Sequence, residues 1–300
     1  MKITPWSLFA LTSIVLLLAG CARNQEQLAH HAGARQFVFG DMSVTEIIDS
    51  PLRFDASMWP EVEKYPERLA EMPGGKYDTY IKTFLVTTGD RIVLIDGGAG
   101  KEHYVTKGHT EEFLKSRNIS PEDVTDILRT HLDIDHIGGL IAGKNAVYPN
   151  AALHVSLPEY EAWTNDSGLI NRLPEQKRLA GLVLAAYQTR LRLFCHGATI
   201  LPGIVALEAA GHTPGHTVYE LAHEGDGMLF AGDFMHIATI QLRTPEYSTV
   251  WDASPQAGAT RRRILERLGN LNLLLAGMHI RDIGHVRRAA DGGFILVPMN

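Results

Sequence analysis

The segment from Thr130 to Gly139 carries four side chains that can bind a metal ion. Two histidines and two aspartates stand close together and two glycines follow them: His131, Asp133, Asp135 and His136. Burying so many carboxylate and imidazole groups is costly unless something compensates their charge and polarity. Imidazole nitrogens and carboxylate oxygens are ligands of divalent cations. The segment therefore predicts a metal centre, and its four ligands favour a pair of cations.

Three further candidate ligands lie in the C-terminal half of the chain. They are His212 in the segment Gly211–His216, Asp233 directly after Gly232, and His279 in the segment Ala276–His279. A single His-x-Asp pair is weak evidence, because such an Asp also suits a turn. Seven ligands in this order are strong evidence for a metal centre.

This set of residues resembles the metallo-β-lactamase superfamily, whose signature is H-x-H-x-D-H followed by a distant His, an Asp and a final His. The resemblance covers roughly residues 37–300. Residues 232–242, 261–265 and 283–287 are similar to the methyl parathion hydrolase branch, which groups with lactonases and arylesterases that use two metals. The fold class implied is α/β (α+β), an αβ/βα four-layer sandwich in a single domain.

The resemblance also implies which ligands share an ion. It places His131, Asp133 and His212 on one metal, and Asp135, His136 and His279 on the other, with Asp233 and a hydroxide as bridges. Asp133 stands where most members have His. The added negative charge should weaken the Lewis acidity of the centre and admit manganese, iron or cobalt as alternatives to zinc. In the alternative reading Asp133 points away and one metal site is lost.

Asp135 and His236 are the candidate catalytic residues. His236 follows Asp233 by three residues, at an offset where related lactonases carry a Tyr that contacts the substrate; a position in the pocket wall is equally compatible with the sequence. The resemblance further suggests an apolar substrate pocket, although core packing explains its aromatic residues as well. The pocket candidates are Trp163, Tyr187, Phe194 and His285.

The function expected from the resemblance is hydrolysis of an ester-like bond in a lactone, aryl ester or phosphotriester by a metal-bridging hydroxide. The alternatives are a mononuclear-iron thiol or persulfide oxidoreductase of the same fold, a β-lactamase-like amide hydrolase, and a lipoprotein that binds metal without catalysis. Asp233 argues against a β-lactamase, because true β-lactamases of the superfamily lack Asp there. The formal net charge of −6 disfavours nucleic-acid binding, so a small-molecule substrate is expected; the sequence gives no oligomeric state.

The first residues predict export. Residues 1–20 form a predicted lipoprotein signal peptide with one basic residue and an apolar run, 8–18, too short to span a bilayer. Residues 18–21 resemble a lipobox, so Cys21 is expected to carry lipid and to anchor the protein to the membrane, in the outer membrane facing the periplasm. Residues 21–36 are a predicted polar tether. An ordinary signal peptide and an uncleaved anchor are the alternatives.

The elements that must position the ligands follow from hydrophobic periodicity. A hairpin at 37–48, strands at 83–87 and 91–95, and a strand at 126–130 are predicted, and the last of these places His131 at the carboxyl edge of a sheet. Residues 50–79 are predicted as a long irregular loop, and 174–192 as an amphipathic helix. The triplet Arg261–Arg263 is predicted to lie on the solvent-exposed face of a helix at 255–268.

Overall fold

The computed structural model of this protein describes residues 34–59, 61–70, 72–101, 106–165, 169 and 172–299. Every strand and helix of the described residues lies in one compact unit, Gln36–Asn300. The predicted signal peptide, the lipidation site Cys21 and nearly all of the tether lie outside the described residues. Within the described ranges, no helix has both the length and the hydropathy to cross a bilayer.

The elements run in a β-rich order with helices between groups of strands. The strands are β1 Gln36–Phe39, β2 Met42–Asp55, β3 Lys76–Thr88, β4 Arg91–Ile95, β5 Asp126–Leu128, β6 Ile141–Ala142, β7 Asn145–Ala146, β8 Ala152–Ser156, β9 Leu191–Phe194, β10 Thr199–Leu201, β11 Ile204–Glu208, β12 Thr217–His223, β13 Asp226–Phe230, β14 Leu273–Ala276, β15 Gly284–Arg288 and β16 Phe294–Pro298. The helices are α1 Pro66–Leu69, α2 Thr110–Ser116, α3 Ile134–Ile137, α4 Leu157–Thr164, α5 Pro174–Ala186, α6 Ala238–Gln241 and α7 Gln256–Asn270.

Two mixed sheets, each seven-stranded in the described residues, form the centre of the molecule. Their strand orders are β1-β2-β3-β4-β5-β8-β9 and β10-β11-β12-β13-β14-β15-β16. Neighbouring strands are antiparallel except in the runs β4-β5-β8-β9 and β13-β14, which are parallel. Parallel neighbours end at the same sheet edge, so the loops that follow β4 and β5, and those that follow β13 and β14, emerge side by side.

The core lies between the two sheets, where apolar side chains from both meet. Val44 and Phe84 of the first sheet pack in one buried cluster with Tyr219 and Phe230 of the second. A further cluster lies on the outer face of the second sheet, under helix α7. This layering confirms the αβ/βα sandwich in a single domain. The layers form because buried residues alternate along the strands, so each sheet has an apolar face that must pack against another layer.

Three predictions of local structure were wrong. The loop expected at 50–79 is strand at both of its ends, because β2 continues past a register shift at Ile48/Ser50 to Asp55 and pairs there with the start of β3 at Lys76. The helix expected at 174–192 ends at Ala186, and Leu191 begins a strand that pairs with β8.

The third correction concerns Arg261, which is buried rather than solvent-exposed. In helix α7 it lies on the same face as Ile264, Leu265 and Leu268, at the i, i+3, i+4 and i+7 positions that pack on the sheet. Its guanidinium donates to the backbone carbonyls of Phe234 and to those of residues 245 and 247. The arginine therefore ties the loop that follows Asp233 to the loop ahead of Trp251.

Candidate metal centre

All the predicted metal ligands lie in the segments that connect strands at one edge of the two sheets, either in loops or in the short helix α3. His131 follows β5, Asp233 follows β13, His279 follows β14, and His212 lies between β11 and β12. The parallel pairs β4-β5 and β13-β14 bring their carboxyl ends together, as the sequence predicted for His131. The four loops converge on one buried cluster of ligand atoms.

A short helix sets the spacing within the first ligand segment. Asp133 stands at its N-cap position, and α3 then presents Asp135 and His136. The glycines that follow are needed for close backbone packing: a Cβ on Gly138 would lie 2.0 Å from the carbonyl oxygen of Ala99. This contact presses the segment against the loop after β4.

One half of the centre is rich in carboxylates. The ligand atoms of Asp135, His136, Asp233 and His279 all lie within 4.8 Å of one another and are buried. Nε2 of His279 lies 3.2 Å from an oxygen of Asp135 and 3.1 Å from an oxygen of Asp233, and Nε2 of His136 lies 3.1 Å from the other Asp233 oxygen. A metal about 2.0–2.2 Å from each ligand requires separations of this size.

Several of these atoms have no hydrogen-bond partner although they are buried. They are Nε2 of His136 and Oδ1 of Asp233 in this half, and Nε2 of His131 in the other half. Buried polar atoms without a partner are rare in native proteins and are typical of a site that binds an ion or an ordered water. The donors in this half therefore fit a divalent metal ion.

The electrostatics of this half also call for a cation. Burial alone would lower the pKa of His279, but the carboxylates of Asp233 and Asp135 overcome it and raise the pKa to about 10. The same balance of burial against carboxylates raises the pKa of His136 well above its usual value. The carboxylates make this half negative enough to keep protons on the two imidazoles at neutral pH. The same negative charge would attract a divalent ion, which would replace those protons.

The other half of the centre is arranged differently. His131, His212 and Asp233 place their ligand atoms within 4.8 Å of one another, but Asp133 is not part of that group. Both oxygens of Asp133 accept hydrogen bonds from Arg172, one from Nε and one from Nη2, each at 2.6 Å. Burial opposes ionisation of Asp133, yet Arg172 holds its pKa well below the usual value. The role of Asp133 as a metal ligand stays a prediction.

Arg172 was missed by the sequence analysis. Its side chain is 1% exposed, and its Nη2 lies 3.1 Å from Nε2 of His212. No motif marks it, since it lies ahead of α5 and about forty residues along the chain from Asp133. Only the folded chain brings this arginine to the ligands.

Behind the ligands, Asp96 is the main organising residue. It follows β4 with a left-handed backbone, φ 62°. It accepts hydrogen bonds from the amide and hydroxyl of Thr130 and from Nδ1 of His136 at 2.8 Å, and it forms an ion pair with Arg129. Burial alone would raise the pKa of Asp96, but Arg129 and His136 lower it to about 2. An ionised Asp96 orients the His136 ring so that Nε2 points at the ion site.

Glu159 joins the two histidine loops of the other half. Its carboxylate accepts from the amides of Leu132 and Gly215, from the hydroxyl of Thr213 and from the indole of Trp163. Each of the two loops carries a ligand, His131 beside Leu132 and His212 beside Thr213. The carboxylate therefore fixes the spacing between two ligands.

His236, the second candidate catalytic residue, lies at the edge of the ligand cluster. Its Nε2 is 3.3 Å from Oδ2 of Asp233, and its buried Nδ1 has no hydrogen-bond partner. Its ring centroid is 5.2 Å from that of Trp251 and 5.8 Å from that of His279. His236 is therefore placed between the ligands and an aromatic wall.

The aromatic wall comes from residues that the sequence analysis did not single out. Phe54 lies 5.8 Å from the His279 ring, and Trp251 lies 5.1 Å from Phe54 and 5.2 Å from Trp59. Phe54 belongs to the extension of β2 that was predicted as loop, so its place beside the ligands was not visible. Trp251 is only half-buried, and it lies between the ligands and the solvent.

The pocket residues predicted from the sequence have packing contacts in the structure. Trp163 is buried against Glu159, Tyr187 is fully buried with its hydroxyl bonded to the carbonyl of Leu140, and Phe194 packs on the core between the sheets. His285 lies on β15, half-buried, with Nδ1 unpaired. A role for these four in the substrate pocket stays a prediction.

Comparison with known proteins gives one family. The model of the metallo-beta-lactamase superfamily matches residues 77–272, more than half of the chain. An N-acyl homoserine lactonase from a Bacillus species is 25% identical over 174 residues, which are 52% of this chain and 63% of that lactonase. The match thus spans less than two thirds of the lactonase's length.

Solved structures agree over a larger share of the chain. The crystal structure of AbOPH, a hydrolase in the beta lactamase superfamily, is similar with a TM-score of 0.81 and 28% identity, covering 89% of this chain and 98% of that one. AidC, a dizinc quorum-quenching lactonase in complex with a product, has a TM-score of 0.80 at 23% identity, with the same coverage. At this identity the second similarity shows the fold alone.

Proposed function

Because this chain belongs to the metallo-beta-lactamase superfamily and carries a buried His/Asp cluster suited to divalent metals, we propose that it is a metal-dependent hydrolase that cleaves an ester-like bond. A lactone is the first candidate substrate, since lactonases are among its relatives. Aryl esters and phosphotriesters are the next candidates. All three are uncharged and share an electrophilic centre bearing an oxygen leaving group.

The position of Asp233 carries this proposal. Its carboxylate lies within 4.0 Å of Nε2 of five imidazoles. Asp135, His136, Asp233 and His279 would hold the tightest ion, and His131, His212 and Asp133 are the candidates for a second. A bound divalent ion supplies Lewis acidity and lowers the pKa of water.

The chain's own residues supply binding and orientation. Phe54 and Trp251 form an apolar wall beside His279 and His236, which suits an acyl or aryl group better than a charged one. Nδ1 of His236 is buried and unpaired, so this imidazole has a ring nitrogen free to hydrogen-bond the reacting or leaving oxygen.

We expect His236→Ala to lower kcat for lactones and alkyl esters by about a hundredfold, the usual contribution of a positioned proton donor. For nitrophenyl esters the loss should be below about tenfold, because nitrophenolate departs with little help. Bound metal, measured by inductively coupled plasma mass spectrometry, should stay unchanged.

The control for this substitution is His223→Ala, a half-buried histidine at the end of β12 that belongs to no group of candidate ligands. It should leave both substrate classes unaffected. Equal losses for the two classes in His236→Ala would exclude proton donation. A loss of metal would make His236 a ligand, which the separate cluster of His212, His236 and Asp252 would then explain.

The substrate class is tested by a panel assay. Purified protein is assayed with N-acyl homoserine lactones, simple γ-lactones, nitrophenyl esters and a phosphotriester, each with zinc, manganese, cobalt or iron(II). The proposal expects turnover of at least one class that disappears in Asp233→Asn. Thiol or persulfide oxidation without any hydrolysis would favour the oxidoreductase alternative and contradict the proposal.

We also propose that the protein is exported and anchored through lipid on Cys21. Residues 18–21 support this proposal by their similarity to a lipobox. In a bacterial host, Cys21→Ser should move the protein from the membrane fraction to the soluble fraction or leave residues 1–20 attached. Fractionation with labelled fatty acid measures both, and wild-type protein that is wholly soluble and unlabelled would contradict the anchor.

A further inference from the structure

A buried arginine lies among the ligands of the second half-site. Nε and Nη2 of Arg172 bind the two oxygens of Asp133, and Nη1 donates to the carbonyl of Trp251 at 2.8 Å. Bidentate arginine–carboxylate pairs are among the strongest hydrogen-bonded contacts in proteins. A metal that took Asp133 as a ligand would have to compete with this pair.

The same guanidinium also engages His212. Nε2 of His212 lies 3.1 Å from Nη2 of Arg172 and 3.0 Å from Oδ2 of Asp133. If Nε2 carries the proton, it donates to Asp133; if it does not, its lone pair accepts from Arg172. In either tautomer Nε2 is engaged by the Asp133–Arg172 pair, so a metal that binds Nε2 has to displace that contact.

The first half-site has no such competitor. Within the described residues, Asp135 and Asp233 form ion pairs with histidines and with no arginine or lysine. The two halves therefore differ in formal charge. In the first half only imidazoles lie beside the negative charge of the carboxylates. In the second half the guanidinium of Arg172 already neutralises the charge of Asp133.

We propose that Arg172 is a built-in competitor of the second metal ion, and that the Asp133–Arg172 pair makes the centre bind its two ions with unequal affinity. The half with Asp135, His136, Asp233 and His279 takes one ion tightly. The half with His131 and His212 takes another only when free metal is abundant enough to displace the guanidinium. This inference depends on the metal centre of the proposed function but on no particular substrate.

The pairing also accounts for Asp133 in a position where the superfamily pattern has His. A carboxylate adds one negative charge to the centre, and Arg172 cancels it. Exchanging an imidazole for an Asp–Arg pair therefore keeps the formal charge of the centre while placing a cation beside it. The weaker Lewis acidity expected from Asp133 alone does not follow once Arg172 is counted.

The test is zinc binding to metal-free protein by equilibrium dialysis, with bound zinc measured by mass spectrometry across buffered free concentrations. Wild-type protein should bind one ion first and a second at concentrations about 10- to 100-fold higher, the range by which groups bonded to ligands tune affinity. Arg172→Met removes the competitor and frees Asp133. The ratio between the free zinc concentrations at which the second and the first ion bind should therefore fall at least about tenfold. Arg178→Met, at an exposed position on α5, is the matched control and should behave as wild type.

A double variant covers the case in which Arg172→Met does not fold. Asp133→His with Arg172→Met restores an imidazole without leaving a buried charge unpaired, and it should bind two ions with similar affinity. Asp133→His alone leaves the buried Arg172 without its carboxylate partner, so the second zinc ion should bind more weakly than in wild type. Two equal steps in wild type, or an unchanged gap in both Arg172 variants, would overturn the proposal. No substrate enters the experiment, so these outcomes do not depend on whether lactones are turned over.

Discussion

Asp233→Ala should abolish both metal binding and hydrolysis. The substitution removes one oxygen 3.1 Å from His136 Nε2 and another 3.1 Å from His279 Nε2, and so takes a ligand from the tight half-site and from its neighbour. A catalytic metal contributes several kcal/mol to the transition state, so the rate should fall at least about a thousandfold. Bound metal and initial rate measured on the same preparation check the expectation.

The control for Asp233→Ala is Asp291→Ala. Asp291 is exposed and pairs with Arg243, and neither belongs to a group of candidate ligands, so its loss should change neither metal nor rate. Asp233→Asn adds a second comparison, because it keeps the volume of the side chain and removes its charge. An Asp233→Ala protein that retains both its metal and its rate would mean that the cluster around this residue is not the metal centre.

Removing the metal should destabilise the fold as well as stop the reaction. Asp135 and Asp233 are buried and would lose the cation that offsets their charge. A ligand at about a thousand times its dissociation constant stabilises a protein by about 4 kcal/mol. For a domain of this size that amounts to roughly 10 °C in Tm. Calorimetry before and after dialysis with a chelator, with zinc then restored, measures the shift.

Asp233→Ala again supplies the comparison. Since it should lack the tight ion, chelation should leave its Tm nearly unchanged. Equal melting temperatures for metal-loaded and metal-free wild type, with metal content verified in both, would show that the ligands are held by the protein alone. In that outcome Asp96 and Glu159, which hydrogen-bond to the ligand loops, would be the residues that hold them.

The candidate ligands could be singled out from the sequence because the residues that mark them stand close together along the chain. His131 to His136 stand in one segment, and the strand ahead of it placed that segment at a sheet edge. His212, Asp233 and His279 lie in short motifs with glycines, and the order of these motifs along the chain indicated the superfamily. The folded chain brings all of them except Asp133 into groups of side chains that could hold a metal ion.

Arg172 and the aromatic wall were not predictable, for two different reasons. Arg172 comes into contact with Asp133 only when the chain between them folds. The residue type alone does not show whether an arginine is buried or exposed. Phe54 was assigned to a loop because prolines and glycines around it suggested turns, whereas tertiary pairing with β3 extends β2 through Pro51. Pairing of β2 with the long strand β3 therefore outweighed the local preference of these residues for turns.

Arg261 shows a signal that was present but misread. A run of three arginines suggested a solvated surface, yet the apolar residues at 264, 265 and 268 share a face with Arg261 alone among the three. Burial of that guanidinium is stabilised by backbone carbonyls and by Asp252. The spacing of the apolar residues along the helix therefore determines which of the three arginines is buried, and the charge of the run does not.

The central claim is metal-dependent hydrolysis at the cluster around Asp233, and one titration tests it most directly. Metal-free protein is mixed with increasing equivalents of zinc, and the opening of an N-acyl homoserine lactone or of the best ester in the panel is followed by the release of acid. The account predicts no rate without metal, a rise with added zinc to a plateau, and no rise in Asp233→Asn. Hydrolysis that continues undiminished in metal-free protein, or a fully zinc-loaded protein that opens no ester, lactone or phosphotriester, would contradict it.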